Sequence, residues 1–495
     1  MSENKKSNFF SNTERNVFIL SSGSQIDRGA LLSRYSRAAN PDIRDLFEKE
    51  FLTNPDRGKE FYEKIFLEYG DESVAELVNV QMGMQNISNV AAKIIETGRI
   101  GLSFLEKSSR YVRYDRKYDG RYLYLDFDKT GLSGKFKEKY EEIMDKMFDF
   151  YSSALPIIND LLMEKYPFNM FGNENDTNAE RAYKSAIRAR SLDDIRAILP
   201  SSTVTNIGVS GNARSYISLI QRLSSSGLME AKELSDMIFN ELDSDYGQII
   251  RSARNRHGEK YVEYLKERNS IYQYHERNQS PQSMIMSYNK WNLDHISELM
   301  GINSMDRNEF LLKAASIRTN RRDKLPRVFE FVDITFSLKM NYGIFREFQR
   351  HRFMSIVRGS LMPDFGYDIP ELIELDPEIK NQFVSIVDRA IQFHEEIIKD
   401  SNNSEAAQYV LPMCINHQMI VHTNLRELCY FAELRTTPHA HDDIRNLALS
   451  MVRNFISHEP ECEPIFKFID GGSYPLGRFY QEYRKEKKLD SNSFP

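Results

Sequence analysis

Long apolar runs are missing from this sequence. No stretch approaches the ~18 uninterrupted apolar residues of a membrane-spanning helix, and 28% of its 495 residues are charged. A soluble protein with no membrane partner is expected. The opening residues, MSENKKSNFFSNTER, lack the apolar segment of a secretory signal. Cysteine is scarce: Cys414, Cys429 and Cys462 are the only three, too few for a disulfide framework. A reducing, cytoplasmic setting is therefore expected. An excess of positive charge is also missing. The net charge is −6 and the pI is near 6.0, which argues against a nucleic-acid partner but leaves room for a local basic pocket. No G-x-G-x-x-G follows a strand pattern, and no G-x-x-x-x-G-K-[ST] occurs. A nucleotide or flavin would have to be held by arginines and amides.

What is present is a repeat. Residues 198–214 read ILPSSTVTNIGVSGNAR and residues 410–426 read VLPMCINHQMIVHTNLR. Each has an aliphatic residue, Leu-Pro, and then Asn-x-Arg. Pro200 to Asn212 is twelve steps, and so is Pro412 to Asn424. Apolar residues follow each at helical spacing: Tyr216, Ile217, Leu219 and Ile220, then Leu428, Cys429, Phe431 and Ala432. A long amphipathic segment precedes each, at 136–162 and 377–400. This order implies an internal duplication whose period is too long for a solenoid. Length suggests roughly three domains at about 150 residues each, and the duplication reduces that to two, 1–275 and 276–495. The polar stretch 266–305 is the expected junction. Residues 166–190 are expected to form a surface insertion with a short helix.

Three clusters could carry chemistry. FREFQRHRFMSIVRGS (345–360) sets Arg346, Arg350, Arg352 and Arg358 among apolar residues. Guanidinium forks suit phosphates and carboxylates, and His351 between two of them is disfavoured as a cation. By itself, Arg-His-Arg fits a salt-bridged helix face at least as well. LSFLEKSSRYVRYD (102–115) offers Glu106, Ser108 and Arg110 as an anion- and hydroxyl-recognising surface, or as a solvated strand edge. NLRELCYFAELRTTPHAHDDIR (424–445) places Asn424, Leu428, Phe431 and Arg435 near one helix face; solvent-facing polar residues are the simpler alternative. His439 and His441 precede Asp442 and Asp443 without metalloprotease spacing. A helix start is favoured there and no metal is expected. Cys429 matches Ile217 of the first copy, so it reads as an inert core thiol.

Together these clusters resemble the flavin-dependent thymidylate synthases. That family is marked by Arg-His-Arg, seven residues and then Ser, as in Arg350-His351-Arg352 followed by Ser360. Its further motifs are distributed between the copies. The first copy keeps Glu106, the Ser108-Ser109-Arg110-Tyr111 run, Arg196 before Leu-Pro, and Asn212-Ala213-Arg214. Its Arg-His-Arg region reads Glu96-Thr97-Gly98-Arg99, so the triad is gone; it has Asp71 where His is usual, and Arg222-Leu223 out of register with the family's late Leu-Arg. The second copy keeps Arg-His-Arg, Asn424-Leu425-Arg426 and Leu434-Arg435, but has Gln408 where the pre-Leu-Pro Arg belongs. Glu347 and Tyr430 stand where the family has Gln and Asn.

The resemblance implies an α+β fold: two tandem copies, each a small antiparallel or mixed sheet packed with long helices. It implies FAD as cofactor, and NADPH and methylenetetrahydrofolate as co-substrates, in methylation of uracil C5 of dUMP. Arg435 would favour ionised uracil. Glu106, Ser108, Arg110, Arg196 and Arg350 would bind the nucleotide. Ser73, Arg350, His351, Arg352, Asn424, Arg426, Asn212 and Arg214 would hold the flavin. The complementary losses suggest one composite site shared by the two halves, and a homodimer in place of the family's usual tetramer. The alternatives are a non-catalytic flavin- or nucleotide-binding paralogue and an enzyme for another uridine nucleotide.

Overall fold

The structure, a computed structural model, describes residues 8–36, 38, 42–65, 72–173, 175–271, 282–289, 306–400 and 404–491. Asp71 and most of the expected junction lie outside these residues. The strands are β1 (Asn79–Ser88), β2 (Leu102–Glu106), β3 (Val204–Asn212), β4 (Ser283–Tyr288), β5 (Asp333–Asn341), β6 (Ser355–Val357) and β7 (Asn416–Asn424). The helices that position the site are α1 (Asn89–Glu96), α2 (Lys137–Lys165), α3 (Thr177–Ile195), α4 (Ala213–Ser224), α5 (Met229–Ile250), α6 (Tyr342–Phe348), α7 (Pro377–Asp400), α8 (Leu425–Arg435), α9 (Asp442–His458) and α10 (Phe479–Ser491).

The chain packs as two compact units whose segments interleave. The first holds Met1–Lys107, Leu125–Gly131 and Val204–Gln273; the second holds Ser108–Tyr124, Leu132–Thr203 and Tyr274–Pro495. The first unit contains an antiparallel sheet in the order β1-β3-β2, and the second a sheet in the order β4-β5-β7-β6. Three strands of each follow one pattern. A strand ends in a helix cap, a short helix leads to the edge strand, and a later central strand ends in Asn.

The caps explain the Asn-x-Arg repeat. Asn212 Oδ1 accepts from Ser215 N at 2.9 Å and starts α4, and Asn424 Oδ1 accepts from Glu427 N at 2.9 Å and starts α8. A side-chain oxygen here satisfies an amide that the first helical turn leaves unpaired. Ser88 does the same for α1 and Asn341 for α6.

The second unit also receives the long helix of the first copy. α2 and α7 pack through Phe150 and Phe383, with ring centroids 5.9 Å apart, and α7 meets Phe136 through Phe393 at 5.7 Å. Each such fully buried phenylalanine contributes about 1.5–3 kcal/mol by leaving water. The two Leu-Pro repeats pair with each other: Ser201 N donates to Leu411 O at 2.8 Å, and Met413 N donates to Leu199 O at 2.9 Å. The residues expected to be a surface insertion instead lead into α3, a 19-residue helix. Ala179, Ala182, Ala186 and Ala189 let it pack closely, and all four are buried. Residue 283, inside the expected junction, begins β4.

Candidate active site

The site lies in the second unit and is drawn from four chain segments. The turn after β2 supplies Ser109 and Arg110. The end of α3 and the turn beyond it supply Asp193 and Arg196. α6 and the residues after it supply Arg346, Glu347 and His351. The end of α8 supplies Arg435.

Glu347 is the hub. Its Oε1 lies 3.1 Å from Arg196 Nη2, and its Oε2 lies 3.4 Å from Arg110 Nη1 and 3.7 Å from Arg435 Nη1. Burial works against its ionisation, but Arg110 and Arg196 more than offset it and hold the carboxyl at about 2. Asp193 is the second anion. It takes Arg110 Nε at 2.6 Å and Nη2 at 2.7 Å, a bidentate fork. Burial opposes its charge too, yet Arg110 holds it far below the usual carboxylate range. Ser109 Oγ accepts from Arg346 Nη1 at 3.1 Å and Arg196 Nη1 at 3.5 Å. Burial lowers Arg196 and Arg435 from the ordinary arginine value.

His351 has a defined tautomer. Arg435 Nε can only donate, and it lies 2.9 Å from His351 Nε2, so Nε2 accepts. The proton then sits on Nδ1, which faces Glu427 Oε1 at 3.5 Å. Burial first, and Arg435 with Arg350 besides, depress the imidazole pKa. The ring packs edge-on against Phe431 at 4.7 Å. The neutral imidazole expected from sequence is present, but both of its nitrogens face protein groups. It orients Arg435, whose Nη2 also donates to Glu347 O at 3.2 Å. Nη1 makes only the long 3.7 Å approach to Glu347 Oε2.

The other sequence-derived residues fall as follows. Ser108 sits one position off: its Oγ accepts from Arg110 N at 3.3 Å, while Ser109 meets the arginines. Glu106 belongs to the first unit, where it is buried and pairs with Lys93 Nζ at 3.0 Å. Lys93 occupies the helix position equivalent to Arg346 and also pairs with Glu96. In the same unit Gly98 replaces the histidine of the motif. A Cβ there would lie 2.5 Å from Arg222 Nη2, so the out-of-register Arg222 fills the space a side chain needs. Asn212 and Asn424 have their carbonyl oxygens engaged as caps. Arg214 pairs with Glu76 at 2.6 Å, and Ser73 is exposed on the 3-10 turn Glu72–Leu77. Arg426 is held by Glu330 at 2.9 Å and Leu325 O at 2.6 Å. Arg350 and Arg352 are exposed on either side of buried His351. His441 is itself the N-cap of α9, its Nδ1 accepting from Asp443 N at 3.1 Å. All three cysteines are buried free thiols.

Asp193 and Arg478, which reaches Asp193 Oδ2 at 3.4 Å, are not singled out by the sequence, and Ser109 appears there only within the Ser108-Ser109-Arg110-Tyr111 run, with the binding role given to Ser108. Asp193 lies three residues before Arg196, so proximity to a motif residue was the available signal; Arg478 gave none.

Fold and site define a tandem-duplicated α+β protein with a buried arginine cluster assembled from both copies. The chain belongs to the thymidylate synthase complementing protein family, whose model matches residues 28–245 and 272–461. It is thus a tandem-duplicated, diverged member of the flavin-dependent thymidylate synthase family. It is 41% identical to a UPF0159 protein of Thermoplasma acidophilum, covering 94% of this chain and 99% of that one. A UPF0159 protein of Chlamydia pneumoniae is 32% identical over 97% of this chain and 96% of its own. The flavin-dependent thymidylate synthase of Thermococcus onnurineus is 32% identical over 104 residues, 21% of this chain and 42% of that one.

Proposed function

We propose that this protein methylates uracil C5 of a uridine nucleotide, dUMP first, with methylenetetrahydrofolate as carbon donor and NADPH as reductant. The convergence of Arg110 and Arg196 from the first copy with Glu347, His351 and Arg435 from the second carries this reading. Arg110 and Arg196 present guanidiniums to an anionic group. Arg435, fixed by His351 Nε2 and Glu347 O, offers Nη1 to a uracil ring and favours its ionised form by placing positive charge beside developing negative charge. No protein nucleophile is assigned, in keeping with thiols that burial pushes up, to about 11 at Cys462.

The donor set fits FAD. Arg350 and Arg352 are exposed guanidiniums suited to a pyrophosphate. The half-exposed Tyr430 ring, 6.3 Å from His351 and under Lys324 Nζ at 5.1 Å, offers a flat face beside them. FAD, when bound, supplies the reducing equivalents drawn from NADPH. Arg350, Arg352 and Tyr430 would hold it, with His351 positioning Arg435 rather than touching the cofactor. The assembly that goes with this reading is a homodimer in the cytoplasm.

The test is tritium release from 5-tritiated dUMP with FAD, NADPH and methylenetetrahydrofolate. Release that requires all three supports the reading. Nucleotide binding without release would favour the second reading, a non-catalytic nucleotide-binding paralogue. One observation favours that alternative: Glu347 and Asp193 already engage the arginines a nucleotide would need.

A further inference from the structure

The segment after residue 461 lies beyond the family-matched residues, yet it enters the arginine cluster. Three features fix its path. Arg445 of α9 donates to Thr436 O, to Gly472 O at 2.5 Å and to Asp470 O at 3.3 Å. Tyr474 Oη bonds both oxygens of Asp470, at 2.8 and 3.0 Å. Gly477 passes so close to Pro438 that a Cβ would lie 1.7 Å from the Pro438 carbonyl oxygen. A glycine is required there, and it delivers the next residue, Arg478.

Arg478 is buried, with 8% of its surface exposed. Its guanidinium lies over the Tyr111 ring, 4.8 Å from the centroid. Nη2 makes a long 3.4 Å contact with Asp193 Oδ2, an oxygen already held by Arg110 at 2.7 Å. Nη1 is buried and finds no hydrogen-bond acceptor among the described residues. A buried charged donor left unpaired is costly, so its retention points to an acceptor brought by a ligand.

Space for that acceptor exists. A cavity of about 20 Å³ is lined by Arg110, Asp193, His439 and Arg478. It shares Arg190, Asp442, Tyr474 and Pro475 with a cleft of about 870 Å³ between α9 and the 471–475 loop, a volume typical of small-molecule sites. The small cavity suits one terminal oxygen of an anion, and the cleft suits the body of the molecule. Charge agrees: of the side chains lining the small cavity, Arg110, Arg190 and Arg478 are cationic and Asp193 and Asp442 anionic, an excess of one positive charge.

We propose that Arg478 and Arg110 form an anion-binding subsite at the end of this cleft, taking the phosphate or carboxylate terminus of a ligand. The subsite stands whether or not uracil chemistry occurs. Its test is calorimetric titration of the full-length protein with inorganic phosphate, with glutarate as the carboxylate arm. Arg478→Met should weaken binding of the preferred anion at least tenfold, and Arg478→Lys should weaken it less. The unfolding midpoint of Arg478→Met without anion should stay level or rise, because the cation it removes is under-paired. Equal anion affinity in wild type and Arg478→Met, or no binding of either anion to wild type, would overturn the proposal. A lower midpoint in Arg478→Met with anion affinity unchanged in that same variant would also overturn it, since Arg478 would then only brace Asp193. Phosphate bound through Arg478 but not displaced by dUMP would uphold the subsite while removing the nucleotide reading.

Discussion

Replacing Glu347 by Gln removes one negative charge from the centre of three guanidiniums and changes little in shape. In wild type the carboxylate lies 3.1 Å from Arg196 and 3.4 Å from Arg110, with Arg196 only 5% exposed. Leaving a buried charge without its partner costs about 3–5 kcal/mol. The lower end applies, because a glutamine oxygen can still accept from Arg196. About 3 kcal/mol corresponds to a fall of about 3 to 5 °C in melting temperature for a cooperative unit of this size. The variant site should then attract an external anion more strongly. Phosphate at about 100 times its dissociation constant adds about 2.7 kcal/mol, enough to recover most of the loss. The assay is thermal unfolding of both proteins in phosphate-free buffer and across a phosphate series. Glu347→Gln should melt lower without phosphate and show the larger phosphate-induced rise. Coincident melting with equal phosphate shifts would refute the assignment of Glu347 as the internal anion of the cluster.

Further expectations concern stability and reactivity. Burial holds His394 at about 4 and His417 at about 3. Both stay neutral in the fold while their unfolded forms titrate near 6.5. The unfolded chain binds more protons below that value, so stability falls as pH drops. At pH 5 each costs about 2 kcal/mol relative to pH 8, about 4 kcal/mol together, measurable as a fall in the urea midpoint; a flat profile would contradict their burial. Asn212→Ala and Asn424→Ala should each cost about 1 kcal/mol as lost caps, read from denaturant unfolding, whereas an unchanged stability would mean that the caps do not hold α4 and α8. Burial pushes the Cys414 and Cys429 thiols up, and Cys462 to about 11. A thiol reagent at pH 8 should therefore label them only after denaturation.

Sequence revealed what local chemistry encodes. The long helix read at 136–162 spans Lys137–Lys165, and the one read at 377–400 is found at Pro377–Asp400, because an apolar stripe at helical spacing is visible without tertiary context. The Asn-x-Arg repeat was legible as a repeated spacing, and its physical basis is the N-cap. Residues 166–190 predict a surface insertion with only a short helix, because the buried face of α3 mixes Tyr183, Ile187 and Leu192 with alanines that give little hydrophobic signal. In the site, Arg110, Arg196, His351 and Arg435 were legible through motifs. Their partners were not. The pairing of Arg110 with Asp193 joins residues 83 apart, and that of Arg478 with Asp193 joins residues 285 apart. The exchange of Ser108 for Ser109 shows the same limit, since a tight turn decides which of two adjacent serines faces the arginines.

The central claim is that one site needs both halves of the chain. Its most direct test compares dUMP affinity in Arg196→Ala, from the first copy, with Arg435→Ala, from the second, using protein that remains folded at the assay temperature. Each should lose about 3 kcal/mol of binding, more than a hundredfold in Kd. Normal dUMP binding by Arg196→Ala beside loss in Arg435→Ala would contradict a shared site.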